Sequence, residues 1–367
     1  MILHIGMPKT GTTSIQGAFK ASYDYLAENG VLFPKNPDGF KFPSHKIVAS
    51  AFLPVSRYGS DLKALTKNGL LTDQHFETFH KNLLQQVSER SIKHMILSAE
   101  HFSSGKLDLA GLDQYLSTFG HVSNVVMYAR KPSSWALSAL QQGLKVRNKT
   151  SLRVRNCLTL YRIYSDFFGN DRVSAHSSDR ESLIDGDIIT DFVSKFLADS
   201  RISRDMIKNS KKENQTLSFE SIALLVWIRN HLGYSNSQNI RPFNRQIIDI
   251  LRKAEAAIGH RKPRFQDGVS DRINYHSTWP LALRDEAQVV FEDFDYGRLE
   301  RGNLAASLPD ATELNDLVIL DTEYRRALAQ QVAMEPLVRQ DNALEDVVLS
   351  ALGSDEFRIS LSEVQAC

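Results

Sequence analysis

Strands that are apolar along their whole length, each followed by a helical pattern, constrain this chain more than any other feature. His94-Met95-Ile96-Leu97-Ser98 and Asn124-Val125-Val126-Met127-Tyr128-Ala129 are two such runs. A strand apolar on both faces must be covered on both, which is the condition of a parallel sheet between helices. Residues 108–119 read as the helix between them, and Pro132 opens another through about Val146, with proline in its favoured first turn. The amino terminus adds a strand over 2–5 and a helix from Thr12 or Thr13. Ile15, Ala18, Phe19 and Leu26 keep helical spacing there. The pattern further predicts a short strand at 31–33, helices at 74–90, 151–168 and 188–197, and a strand at 172–176. Helices follow at 217–231, 243–258, 280–292 and 312–334. The expected fold is α/β, with three layers, a central parallel sheet flanked by helices, and a largely helical carboxyl-terminal part.

With 367 residues, 42% of them hydrophobic, the chain can bury the core of one large domain or two smaller ones. The 44 Lys and Arg against 43 Asp and Glu leave a formal charge of +1, so no global field draws in nucleic acid. Two cysteines, Cys157 and Cys367, make neither a disulfide framework nor a metal cluster and fit a reducing compartment. No signal peptide is expected ahead of the first strand. The longest apolar run, residues 222–228, is too short to span a membrane. The expectation is a soluble cytoplasmic protein.

Between the first strand and helix stands Gly6-Met7-Pro8-Lys9-Thr10-Gly11-Thr12-Thr13. Unpaired amides at a helix start and the helix dipole favour an anion there. Lys9 adds a full charge, the glycines allow close approach, and the threonines add hydroxyls. A nucleoside-triphosphate loop reads G-x-x-x-x-G-K followed by Ser or Thr. Set on that template Gly6 and Gly11 match, but Thr12 stands at the lysine position and Lys9 lies inside the loop. That displacement suits a shorter phosphate group without a metal-bound triphosphate. The bland alternative is a strand–turn–helix corner that uses Gly and Thr as caps.

The strand 124–129 runs into Arg130-Lys131-Pro132, and eight residues after Arg130, two helical turns on, stands Ser138. An arginine fork at a sheet edge and a helix serine can clamp one phosphate from two sides. Pro8 to Thr13 resembles the 5′-phosphosulfate loop of the sulfotransferases that use PAPS (3′-phosphoadenosine-5′-phosphosulfate). Arg130 to Ser138, with Pro132 and Trp135 between, resembles their 3′-phosphate motif. Looser similarity to bacterial members runs through Asp179-Arg180-Glu181-Ser182-Leu183, Gly186-Asp187-Ile188, Asp191-Phe192 and Asn214-Gln215-Thr216-Leu217-Ser218. Together these stretches cover about residues 1–230.

The resemblance implies a nucleotide-binding fold of the P-loop kind and transfer of a sulfuryl group from PAPS to an acceptor hydroxyl. The product would be PAP (3′,5′-ADP), with no metal required. Lys9, Thr10, Gly11, Thr12 and Thr13 would hold the 5′-phosphosulfate, with Lys9 also catalytic, and Arg130 and Ser138 the 3′-phosphate. A late basic loop commonly closes over that phosphate in the family, and Arg261 and Lys262, within 259–280, are the candidates. The family's adenine-contacting aromatic is not obvious at the corresponding place, where the sequence is His176-Ser177-Ser178.

The acceptor hydroxyl must lose a proton, so a general base is expected near the sulfur. Glu100 is the first candidate and His101 the second, both at the end of strand 94–98. His45 reads as a surface histidine or an acceptor contact. Residues 35–75, with Pro37, Pro43 and Pro54, read as an acceptor-side insertion, and a small-molecule or glycan acceptor is expected. Residues 1–300 form the expected α/β domain. The extension 301–367 either packs on it or mediates a homodimer. The competing readings are a P-loop kinase or nucleotide hydrolase, and an inactive nucleotide-binding relative.

Overall fold

The structure is a computed structural model that describes residues 1–367 except Gly39, Lys41, 209–215, 235–239, 355–358 and Cys367. Asn214 and Gln215 of the looser motif, and Cys367, therefore lie outside the described residues. Seven strands are present among the described residues: β1 (Ile2–Ile5), β2 (Val31–Leu32), β3 (His94–Ala99), β4 (Asn124–Ala129), β5 (Thr150–Val154), β6 (Val173–Ser177) and β7 (Leu361–Ala366). Two compact units share them, and each is built from three segments.

The first unit comprises Met1–Lys131, Asn156–Lys212 and Trp279–Tyr296. Its sheet has the order β2-β3-β1-β4-β6, and every pairing is parallel. The α/β expectation is met, with a buried five-stranded sheet flanked by helices. Strand β1 runs through the middle with all four residues buried. Period-two alternation puts Ile2 and His4 on one face. Ile2 joins Ile15 and Phe19 of helix Thr12–Ala21 and Phe192 and Val193 of helix Ile188–Phe196 in one core. The ring of His4 lies edge-on to Phe192 and Tyr128. Consecutive strands fill one side of β1 and then the other, so the path of the chain across the sheet reverses there. The carboxyl edge at such a reversal is where open α/β sheets bind ligands.

The second unit comprises Pro132–Arg155, Glu213–Thr278 and Gly297–Cys367. Its centre is helix Phe219–His231, whose residues from Phe219 to Val226 are all buried. Around it lie helices Pro132–Val146, Ile240–Ile258, Thr322–Met334 and Asn342–Gly353. Arg229 is wholly buried and donates to the carbonyls of Leu144, Lys145 and Arg147, which end helix Pro132–Val146. A cation there also meets the negative end of the helix dipole.

The expected helix over 151–168 is corrected. Residues 150–154 form β5, which pairs in parallel with β7, and a helix follows only at Cys157–Phe168. Leu152 and Val154 alternate into the second unit's core, and Asn156 caps the next helix by accepting from Leu158 and Thr159 N–H. The expected helix 312–334 begins at Thr322, and Leu314–Asp316 is a single turn before it. Among the described residues, no helix is long and apolar enough to cross a membrane.

Candidate functional site

Because the first unit's sheet is wholly parallel, the segments that follow β1, β3, β4 and β6 leave it at one edge. The loop after β1 is folded tightly against the end of β3. Gly6 N–H donates to Ala99 O at 3.0 Å. A Cβ on Gly6 would lie 2.5 Å from Thr12 Cγ2 and 3.0 Å from the backbone of Ala99 and Glu100, so only glycine fits. The Thr10 and Thr12 hydroxyls both donate to Met7 O, at 2.8 and 3.1 Å. A hydroxyl has one proton to give. These two hydroxyl protons therefore shape the loop and are not offered to a ligand. Thr13 is exposed.

Lys9 takes a left-handed conformation with φ 69°. That region costs an ordinary residue roughly 1–2 kcal/mol and recurs at functional sites. Gly11, at φ 84°, is the N-cap of helix Thr12–Ala21, and no side chain caps that helix. Thr12 and Thr13 N–H, the first two amides of the helix, thus have no side-chain cap, whereas Ser14 N–H donates to Gly11 O at 2.9 Å.

Arg130 reaches this loop from the end of β4, where its Nη1 donates to Lys9 O at 3.1 Å. Burial lowers the pKa of both Lys9 and Arg130. The Glu100 carboxylate opposes this at Lys9 and the Asp179 carboxylate at Arg130. Two partly buried cations beside open amides can hold an oxyanion. Gly6 and Gly11 let the loop pack closely, since a Cβ would meet Thr12 at the first and Ile188 at the second.

Glu100 and His101 separate clearly. Glu100 is exposed, and its charge acts on Lys9. His101 directs Nε2 at Asp61 Oδ2, 3.2 Å away, and its Nδ1 is buried without a partner. Asp61 also pairs with Lys46 at 3.2 Å, and the His101 hydrogen bond holds its carboxyl well below the usual range. Neither ring nitrogen of His101 is open to a substrate in this arrangement. His45 is not on the surface but fully buried. Its Nε2–H donates to Pro34 O at 3.0 Å, and Nδ1 accepts from Ser98 N–H at 2.9 Å. Burial lowers its pKa to about 4.

Residues 35–75 bring Asp61 and Lys46 to His101 and line a groove of about 310 Å³ with Phe40, Phe42 and Pro43. The Lys46 ammonium lies 4.1 Å from the centre of the Phe42 ring, which joins the groove to the Asp61–His101 pair. Asp61 escaped sequence reasoning, and Asp179 entered it only as the first residue of a looser motif, with no role. Asp61 stands forty residues from His101, with no spacing rule to connect them.

Three further candidates belong to the second unit. Ser138 is half-buried on helix Pro132–Val146. Arg261 is ion-paired with Asp321 at 2.7 Å and lies over the Tyr324 ring. Lys262 is exposed and lines a cavity with Arg261, Arg264 and Glu220. Compared with known protein families, curated proteins and solved structures, the chain matches none.

Proposed function

We propose that the chain is a sulfotransferase that takes its sulfuryl group from PAPS and passes it to an acceptor hydroxyl, on a carbohydrate or glycolipid. The observation that carries the reading is the meeting of Lys9, Arg130 and the open amides of helix Thr12–Ala21 at one sheet edge. Lys9 lies within the loop, as in the sulfotransferase motif that the sequence resembles, and away from the position that serves a triphosphate.

Lys9 and the loop amides bind the 5′ end of the nucleotide, and Arg130 binds a second anionic group. The acceptor oxygen forms its bond to sulfur in line as the bond from sulfur to the bridging oxygen breaks. The electron pair leaves on PAP, where Lys9 and the amides offset the growing charge. The acceptor's proton passes to Glu100, the exposed carboxylate at the end of β3. The groove beside Phe40 and Phe42 gives a sugar ring an apolar wall.

Labelled PAPS supplied with a panel of glycans tests the reading, which predicts transfer of label. Glu100→Gln should bind PAP normally yet transfer about a hundredfold to ten-thousandfold more slowly. Full turnover in that variant would remove Glu100 as the base. His101→Asn should lower stability and retain turnover, because the histidine braces Asp61.

A further inference from the structure

The end of β6 carries polar atoms that the first unit itself leaves unused. Ser178 Oγ and Asp179 Oδ2 are both buried and have no hydrogen-bond partner. Buried polar atoms without partners are uncommon in native proteins, and an ionised carboxylate oxygen is the costliest kind. Two in consecutive residues at a sheet's carboxyl edge call for an explanation.

Their position supplies one. Ser178 N–H donates to Ala129 O at 2.7 Å, which fixes this pair beside the residue that precedes Arg130. Arg130 in turn bonds the Lys9 carbonyl. Lys9, Arg130 and Asp179 therefore follow one another along the edge. The backbone here is fixed, because Asp179 N–H donates to Ser177 Oγ at 3.1 Å. Burial raises the pKa of the Asp179 carboxyl, and the charges of Lys131 and Arg130 oppose that rise.

An anion beside a phosphate-binding arginine would repel the phosphate unless it served the ligand in another way. A nucleoside 3′-phosphate offers one hydrogen-bond donor next to the phosphate, the ribose 2′-hydroxyl, and another farther off on the base, the exocyclic amine. We propose that Asp179, with Ser178, forms the wall that reads the nucleoside, Asp179 Oδ2 accepting a hydrogen bond from a donor on the nucleotide that Arg130 holds. This rests on the nucleotide reading given above. It assigns nucleoside recognition to a carboxylate and a hydroxyl, because the His176 ring packs against Tyr128 and Phe196.

Calorimetry on the full chain tests it with three probes: PAP, its 2′-deoxy analogue, and the 3′,5′-bisphosphate of purine riboside, which lacks the amine. The wild type should bind one analogue about tenfold to a hundredfold more weakly than PAP, as expected for a hydrogen bond to a charged acceptor. In Asp179→Ala that analogue and PAP should bind alike. Asp179→Asn, nearly isosteric, should show an intermediate gap and covers the case in which the alanine variant does not fold. The analogue that shows the gap identifies the donor. Equal affinity of all three probes in the wild type, or an undiminished gap in the variants, would overturn the inference while the nucleotide reading stands. A wild type that binds none of the three overturns both.

Discussion

At the scale of single residues, Gly6 and Lys9 carry opposite demands. Gly6 must have no side chain, because Thr12 is held against it by its own bond to Met7. Lys9 must keep its side chain although its backbone conformation suits glycine. Gly6→Ala should cost about 1–3 kcal/mol in urea unfolding, as overpacking does, and should weaken PAP binding by displacing the loop. An unchanged unfolding midpoint would show that the loop yields easily. Lys9→Ala should fold normally and lose PAP affinity. The tight turn from strand into helix was legible in the sequence, since glycines at 6 and 11 interrupt an apolar strand and a helical pattern. Which threonine hydroxyls remain open was not, because their bonds to Met7 follow from the exact turn. In the second unit, Arg229→Met should cost about 3 kcal/mol or more, because the carbonyls of Leu144 and Arg147 lose the guanidinium and Lys145 O is left with Asn244 Nδ2. A smaller loss would mean that water replaces the guanidinium.

At the scale of elements, strands β1, β3 and β4 were readable because each is a local run of mostly apolar residues, and β6 because Val173 and Ala175 alternate with polar residues. Strand β5 was not. Thr150-Ser151-Leu152-Arg153-Val154 merges into the helical pattern after it, and its partner β7 lies about two hundred residues away. Pairing at that separation leaves no local signal. The buried histidines belong to this scale too, because they hold elements together. His4 on β1 meets Ser98 on β3 at 2.8 Å, and His45 ties Ser98 to Pro34. Burial lowers the pKa of His4 to about 3 and those of His45 and His176 to about 4, against 6.5 when unfolded. Between these values the unfolded chain binds more protons than the folded one, so stability is full above pH 6.5 and falls as the pH drops toward 4. A shift of this size in one imidazole is worth about 3 kcal/mol. Urea midpoints should thus fall between pH 7 and 4.5, and a flat profile there would contradict the burial of these rings.

At the scale of the molecule, neither unit is a continuous stretch of chain. The last residues are part of the second unit's core, where Ile359 and Leu361 are 3% and 7% exposed, and β7 pairs with β5. Deleting residues 359–367 should therefore destabilise the chain by about 3 kcal/mol or more, seen as earlier thermal unfolding. Unchanged unfolding would mean that this strand contributes nothing. The proposed sulfuryl transfer rests on the edge where Lys9, Arg130 and Glu100 meet, and it requires a nucleotide phosphorylated at both ends. Calorimetry with PAP, set against ATP with magnesium, tests this most directly. The account predicts tight binding of PAP that is lost in Lys9→Ala and Arg130→Ala. Tight binding of ATP with magnesium and none of PAP would contradict it.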